Sequence, residues 1–177
     1  NVEVIKAFSR NQARRKEFAA TMSESLQIDV TAVDSAEEAV RDTDIVVAIT
    51  NVRTLDPVVL GDWIKPGAHI NAAGANSLSR RELDETAILR SAVIAVDDMD
   101  QAKIECADLV MPVDLDIVKW DQIVELSDIV SGDVRGRIDN ELLTLFESQG
   151  IALEDISVAA YIYEKAMLTG IGETLSF

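Results

Sequence analysis

The sequence predicts an α/β fold, a Rossmann-type parallel sheet with helices on both faces. Three observations support this class. Short apolar runs alternate with segments of helical periodicity, as in successive β–α units. Residues 45–49 form a continuous apolar run, which is typical of a central parallel strand. The length of 177 residues corresponds to about one domain, and 48% apolar with 27% charged residues is a globular composition.

The first half of the chain contains three predicted strands and two predicted helices. Strands are expected over 2–8 and 28–33, and residues 11–26 between them have apolar or small side chains at helical spacing. Ser35 followed by Glu38 is a capping box, which predicts a short helix. The apolar run then gives a strand within 44–51.

The second half continues the alternation. Pro66-Gly67 turns the chain into a strand over 68–73, and Ser79 with Glu82 predicts another helix start. We expect a strand over 93–96, a short helix over 101–106 and a strand within 140–148. Residues 153–168 have the pattern of a long amphipathic helix that ends before Gly170.

Charge and composition exclude several classes of function. The net charge of −16 would repel a phosphate backbone, so we expect no nucleic-acid partner. The apolar runs are too short to cross a bilayer and no secretory leader opens the chain, so we expect a cytoplasmic protein without a membrane partner. One cysteine and one histidine allow neither an internal disulfide nor a Cys/His metal cluster, and no metal is expected.

Small polar residues follow the predicted strands. In a parallel α/β sheet the ligand binds beyond the carboxyl ends of the strands, so these residues are the candidate site. The alternative is ordinary turn and cap chemistry, which uses the same residue types. The candidates at the strand ends are Ser9, Arg10, Asn11, Thr50, Asn51, Asn76, the pair Asp97-Asp98, and Ser148.

The glycine loop of a dinucleotide site is missing from the early part of the chain. All eight glycines lie at Gly61 or later, whereas such a loop must precede the first helix of the unit. We therefore expect residues 1–177 to be a Rossmann domain that lacks its first strand and glycine loop.

Several spaced segments carry a resemblance to a known family. They are DIVVAITN at 44–51, IKPGAHINAAGA at 64–75, RELD at 81–84, VDD at 96–98, LFESQGIALED at 145–155 and AAYIYEKA at 159–166. The chain resembles the ornithine cyclodeaminase/μ-crystallin family over essentially its whole length. The resemblance implies an NAD(P)-dependent oxidoreductase, usually a homodimer, acting on the carbon of a CH–NH or C=N bond beside a carboxylate. Members include ornithine cyclodeaminases, alanine dehydrogenases, and reductases of cyclic imines and ketimines such as pyrroline-2-carboxylate.

The resemblance also implies a second domain. In the family a substrate and dimerisation domain is built largely from N-terminal sequence, and we expect residues 153–177 to pack against it. Substrate contacts from that domain cannot be assigned to residues of this chain.

The residue type at position 76 distinguishes between members of the family. Cyclodeaminases have an aspartate after the Ala-x-Gly-x turn, where it can act as general base. The neutral amide of Asn76 can orient a substrate but cannot accept a proton at neutral pH. This favours a reductase of a cyclic imine or 2-imino acid, or an amino-acid dehydrogenase in the reverse direction. The alternative functions are a true ornithine cyclodeaminase and a non-catalytic, crystallin-like ligand-binding protein. The alternative role of Asn76 is that of a turn residue only.

The basic residues near the start predict the cofactor. An acidic residue after the second Rossmann strand binds the ribose 2′-hydroxyl of NAD, whereas an arginine accommodates the 2′-phosphate of NADP. The segment Ser9-Arg10-Asn11 has no acid, and five of the sixteen basic residues lie within the first sixteen positions. NADP is therefore predicted over NAD, while Arg15 and Lys16 are expected on a solvated helix face.

The resemblance gives weaker roles to other residues. It implies that Thr50 and Asn51 lie beside the cofactor and that Arg80 and Ser148 lie near its nicotinamide end. Asp97-Asp98 is expected either to contact the cofactor or to have a structural role. His69 is expected as a packed or hydrogen-bonded residue and Cys106 as a small buried one, while the two tryptophans, Trp63 and Trp120, are expected as core or interface residues.

Overall fold

Two parallel sheets form the framework of the computed structural model, which describes residues 2–173 and 175. The smaller sheet pairs β1 (Val4–Ala7) with β2 (Asp29–Ala32), and Val4 lies opposite Asp29. Helix α1 (Gln12–Leu26) connects the two strands. The apolar runs at 2–8 and 28–33 thus form the expected strands, and the connection is the expected helix.

The larger sheet has five strands in the order β3-β4-β7-β5-β6. The strands are β3 (Ile45–Ala48), β4 (His69–Ala72), β5 (Ser91–Val96), β6 (Ile123–Glu125) and β7 (Leu143–Glu147). Every neighbouring pair is parallel. Their carboxyl ends therefore meet at one edge, where the polar candidates that follow these strands lie, namely Thr50, Asn51, Asn76, Asp97, Asp98 and Ser148.

Helices lie on both faces of this sheet, although Ile45 and Val47 of β3 remain exposed on one of them. On one face lie α3 (Glu85–Arg90), α4 (Met99–Glu105) and α5 (Ala107–Asp114); α5 contacts both α3 and α4, and the three helices share a core with Ile70 and Leu145. Side chains alternate across a strand, so Asn71 and Phe146 face the other way. There they line a cavity with α6 (Leu126–Ser131). The predicted fold class is confirmed.

The main core lies between the sheet and α3 to α5. Its largest fully buried apolar side chains are Ile70, Leu83, Ile88, Leu109 and Leu145. Burial of each contributes about 1.5–3 kcal/mol relative to exposure. Trp63 and Trp120 pack against this core and Cys106 is fully buried within it, as the sequence predicts.

Short polar side chains begin several helices. Ser35 caps α2 (Ala36–Val40) by accepting from the Glu38 amide at 3.0 Å. Glu38 does not return a bond to Ser35, because its Oε2 accepts from the Asp34 amide at 3.0 Å. Asp84 and Asp98 cap α3 and α4 in the same way.

One predicted helix start is wrong. No described helix begins at Ser79, and α3 begins at Glu85 behind its cap, Asp84. The Glu82 side chain is fully buried and accepts hydrogen bonds from the ends of two strands, so it cannot close a capping box. The helix expected over 101–106 is also different, because two helices, α4 and α5, meet at Cys106.

The last helix, α7 (Ala152–Thr169), has no buried residue. It begins within one residue of the position that the amphipathic pattern predicts. Residues 174, 176 and 177 of the segment 153–177 lie outside the described residues. Among the described helices, none combines the length and the apolar character that crossing a membrane requires.

Candidate functional site

Polar groups at the carboxyl edge of the sheets form separate clusters. Arg10 and Asn51 share one cavity, Asn76 contacts Arg80, and Ser148 contacts Asp97. Neither the cavity lined by Arg10 and Asn51 nor the one lined by Asn71 and Phe146 contains all the predicted site residues. The site is therefore a row of small clusters along the edge.

The first cluster combines two loops that are distant in sequence. Arg10 follows β1 and Asn51 follows β3, and both line a cavity of about 380 Å³ together with Arg53 and Thr54. Neither guanidinium forms an ion pair with any of the residues that the structure describes. Two cations in one opening fit an anionic group such as a phosphate.

Ser9 and Asn11 have local structural roles beside Arg10. The Asn11 side chain caps α1 by accepting from the Arg14 amide at 3.0 Å. The Ser9 hydroxyl donates to the Asn11 carbonyl at 3.2 Å. Both bonds fix the turn from β1 into α1, and the cap confirms the turn chemistry that the sequence left as an alternative.

Arg15 is not on a solvated helix face, and this expectation is wrong. Its side chain is only 9% exposed, forms an ion pair with Asp34 and donates to the Ser9 carbonyl at 3.1 Å. Its guanidinium also lies 5.5 Å from the centre of the Phe8 ring. These contacts bury the charge and tie the loop after β1 to the loop after β2.

Thr50 and Gly74 come together around one carboxylate. Thr50 lies two residues after β3 and Gly74 two residues after β4. Both donate their amide hydrogens to the buried side chain of Glu82. The structure thus joins Thr50-Asn51 to the turn that carries Asn76.

Asn76 and Arg80 form the second cluster. Asn76 is exposed, and its Oδ1 accepts from the Arg80 guanidinium at 3.4 Å. The Arg80 amide donates to the Ser77 carbonyl at 3.0 Å, which closes the turn. An amide oxygen held beside a guanidinium can orient a carboxylate or an imine, but it supplies no base.

Ser148 and Asp97 form the third cluster, between the ends of β7 and β5. Asp97 Oδ2 accepts from the Ser148 hydroxyl at 2.9 Å and from the Gly150 amide at 2.6 Å. The neighbouring Asp98 caps α4. Both aspartates therefore have structural contacts, and Asp97 holds the loop that presents Ser148.

A buried acidic group lies beneath this edge. Burial raises the pKa of Asp108 to about 7, although the Leu83 and Glu82 amides that bond to it act in the opposite direction. Burial also raises the pKa of Glu147 and of Cys106, and neighbouring carboxylates raise both further. The Cys106 thiol lies 3.6 Å from Glu147 Oε2. No group of acids, cysteines or histidines among the residues described could hold a metal ion.

His69 lies away from the candidate site, at the beginning of β4. Its Nδ1 is 2.8 Å from the Thr144 hydroxyl, which also accepts from Arg137 at 2.8 Å. Burial lowers the pKa of His69, and the Arg137 charge adds to the effect. The expectation of a hydrogen-bonded residue is confirmed.

Sequence reasoning missed Arg53 and Glu82. Arg53 is separated from Asn51 by one residue, so a search for cations near every strand end would have found it. Glu82 fits a helix-capping pattern, and its distant partners leave no local signal.

Comparison with known proteins identifies relatives over the whole chain. A Delta(1)-pyrroline-2-carboxylate reductase from Bacillus cereus is 33% identical over 178 aligned residues, covering 100% of this chain and 54% of the relative. The structure of Thermococcus litoralis Delta(1)-pyrroline-2-carboxylate reductase in complex with NADH and L-proline superposes with a TM-score of 0.91 and 36% identity. That match covers 99% of this chain and 54% of the other. An archaeal alanine dehydrogenase dimer with bound NAD gives a TM-score of 0.84 at 32% identity, over 99% of this chain and 53% of that one.

The chain therefore spans about half the length of the relatives it matches. The family model described as the ornithine cyclodeaminase/mu-crystallin family matches residues 1–170. The residues that the structure brings to the carboxyl edge lie within this range. On the extent of these matches, the chain belongs to the ornithine cyclodeaminase/mu-crystallin family.

Proposed function

We propose that the protein is a cytoplasmic NADP-dependent oxidoreductase that reduces a cyclic imine or a 2-imino acid, or oxidises a small amino acid in reverse. The observation that carries the proposal is the cavity lined by Arg10, Asn51, Arg53 and Thr54 at the carboxyl edge of a Rossmann-type fold. In such folds this edge binds the dinucleotide. When bound, the nicotinamide cofactor supplies the hydride.

The choice of NADP rests on charge. The extra phosphate of NADP carries nearly two negative charges into a protein of net charge −16, and it needs local cations. Arg10 and Arg53 supply two guanidiniums in one cavity. The relatives with solved structures are described with NADH or NAD, so the arginine pair is what supports the different preference here.

The remaining clusters orient the reactants in this proposal. Thr50 and Asn51 line the path of the cofactor, while Arg80 and Ser148 lie near its nicotinamide end. Asn76, whose oxygen accepts from Arg80 at 3.4 Å, orients the substrate without moving a proton. We propose that a substrate and dimerisation domain outside residues 1–177 supplies the other substrate contacts, that α7 packs against it, and that the complete protein is a homodimer.

The experiment compares the two cofactors in the full-length protein. Purified enzyme is given pyrroline-2-carboxylate, and nicotinamide absorbance is followed with NADPH and with NADH. Replacing Arg10 by Asp should weaken NADPH binding by about ten- to a hundredfold, since a charge-assisted contact contributes about 1.5–3 kcal/mol. NADH binding should stay similar or improve.

The matched control is Arg135→Asp, the same change at an exposed position outside the cavity and outside the basic cluster near the start of the chain. It should change the affinities for NADPH and NADH little and equally. Wild-type preference for NADH, or an equal loss for both cofactors in Arg10→Asp, would refute the NADP assignment.

A true ornithine cyclodeaminase is the second candidate. The amide at Asn76 counts against it, because that chemistry needs a base at the turn. Ammonia release from ornithine, with proline formed and no net change in nicotinamide absorbance, would establish it. Dinucleotide binding with no turnover of any imine or amino acid would instead support a crystallin-like binding protein.

A further inference from the structure

Glu82 bridges two adjacent strand ends at the point where their ladder stops. The last backbone bond between the strands is donated by the Ala73 amide to the Ala48 carbonyl at 2.8 Å. Beyond it, Glu82 Oε1 accepts from the amide and the hydroxyl of Thr50, both at 2.6 Å. Glu82 Oε2 accepts from the Gly74 amide at 2.8 Å. One side chain therefore continues the connection between the strands.

The backbone of Glu82 is itself fixed. Its amide donates to Asp108 Oδ1 at 3.0 Å, and its carbonyl accepts from the amides of Val58 and Val59 at 2.9 Å each. The side chain is fully buried. A carboxylate held at both its backbone and its oxygens has little freedom to shift.

Gly74 is complementary to this carboxylate. A Cβ atom at position 74 would lie 2.4 Å from Glu82 Oε1 and 2.4 Å from both the nitrogen and the oxygen of Thr50. Real Cβ atoms do not approach other atoms so closely. The glycine therefore makes room for the contact between the two strand ends.

We propose that Glu82 is a positioning residue, which sets the relative placement of the Thr50-Asn51 segment and the turn that carries Asn76. The proposal rests on the proposed function, because these segments hold the cofactor cavity on one side and the Asn76–Arg80 cluster on the other. Hydride transfer requires cofactor and substrate at a defined separation. A misplacement of about 1 Å can reduce the rate about a hundredfold.

The first test needs no activity. Amide hydrogen exchange is measured by NMR in the full-length protein and in Glu82→Gln and Glu82→Ala. In Glu82→Gln the side-chain NH₂ must face either the Thr50 or the Gly74 amide, so one of the two should exchange about tenfold faster or more. In Glu82→Ala both should do so. The Ala73 amide, bonded within the ladder, is the internal reference and should not change.

The second test is kinetic. If wild-type protein reduces an imine with NADPH, Glu82→Gln should lower kcat about tenfold or more while changing the KM for NADPH less than about threefold. With cofactor deuterated at the transferred position, the isotope effect on kcat should rise, because hydride transfer becomes the slow step. A merely structural role would lower the amount of folded enzyme and leave this isotope effect unchanged.

Two variants separate the effect from general damage. Glu141→Gln makes the same chemical change at an exposed position and should leave exchange and kinetics unchanged. Thr50→Val removes only the hydroxyl donor, so both amides should stay protected and kcat should fall less than in Glu82→Ala.

The outcomes distinguish this proposal from the proposed function. Unchanged exchange at both amides in Glu82→Ala would overturn the bridge, and faster exchange with unchanged kcat and isotope effect would overturn its positioning role. If the wild-type protein reduces no imine while the exchange results hold, the proposed function fails and the bridge between the strand ends is supported.

Discussion

Asp108→Asn should change how the stability of the protein depends on pH. Asp108 is fully buried, and its Oδ1 accepts from the amides of Glu82 and Leu83 at 3.0 Å each. Burial is the main reason that its pKa rises from 3.8 to about 7. In the folded protein the carboxyl group therefore keeps its proton over a pH range in which the unfolded chain has lost it.

The magnitude follows from this difference in proton binding. Because the pKa is higher in the folded state than in the unfolded state, protonated Asp108 stabilises the fold. This contribution to stability is complete below pH 3.8 and is lost as the pH rises to about 7. The rise is about three pKa units at 1.36 kcal/mol each, or about 4 kcal/mol of unfolding free energy. Asparagine keeps an oxygen for both amides and does not titrate in this range. The substitution should therefore lower the free energy of unfolding by about 1 kcal/mol, and this loss should not depend on pH.

The assay is urea unfolding of the wild-type protein and the variant at intervals from pH 4 to pH 8. The wild type should lose about 4 kcal/mol relative to Asp108→Asn between pH 4 and pH 7, and the difference should then level off. Asp121→Asn, at an exposed position, is the control and should follow the wild type. A constant difference, or a wild type that gains stability relative to the variant as pH rises, would show that Asp108 is ionised in the fold.

Three other substitutions test the packing of the core, the close contact between Gly61 and the backbone of α3, and the class of reaction. Leu145→Ala, at 1% exposure, should cost about 2–5 kcal/mol in urea unfolding, and no loss would contradict its place in the core. Gly61→Ala would place a Cβ 2.4 Å from the Ala87 nitrogen, so its thermal midpoint should fall, and an unchanged midpoint would contradict this packing. Asn76→Asp supplies a base at the turn, so the variant should release ammonia from ornithine, whereas the wild type should release none. Robust ammonia release by the wild type would restore the cyclodeaminase assignment.

The sequence predicted the elements whose signals are local. Alternating strands and helices can be predicted because apolar runs, as at 44–51, and helical periodicity depend only on residues that are close in sequence. The cap at Ser35 is likewise local. By contrast, β6 has three residues and no extended apolar run, so nothing in the sequence indicated it. Pro112 within α5 obscured that helix, since proline is unfavourable in a helix interior.

The site was only partly predictable, because its contacts join distant parts of the chain. Arg10 and Asn51 could be named from their positions after strands, but their shared cavity depends on how the two loops fold. The pattern of Ser79 with Glu82 satisfies a local rule, yet Glu82 bonds to Thr50, 32 residues away. The sequence around Arg15 indicates a solvated cation, because its contacts with Asp34 and Phe8 arise only from the folding of the surrounding loops.

The different surroundings of Arg10 and Arg15 have an evolutionary consequence. Arg15 is buried and tied to Asp34 and to the Ser9 carbonyl, so its loss would remove the contacts that join two loops and would lower fitness through folding. Arg10 is exposed, and the described residues give it no ion pair that its replacement would break. Under the proposed function, a lineage could therefore exchange one dinucleotide for the other through a single codon change at position 10. Selection for redox balance could act at this position before the lineage has accumulated mutations that compensate for lost stability.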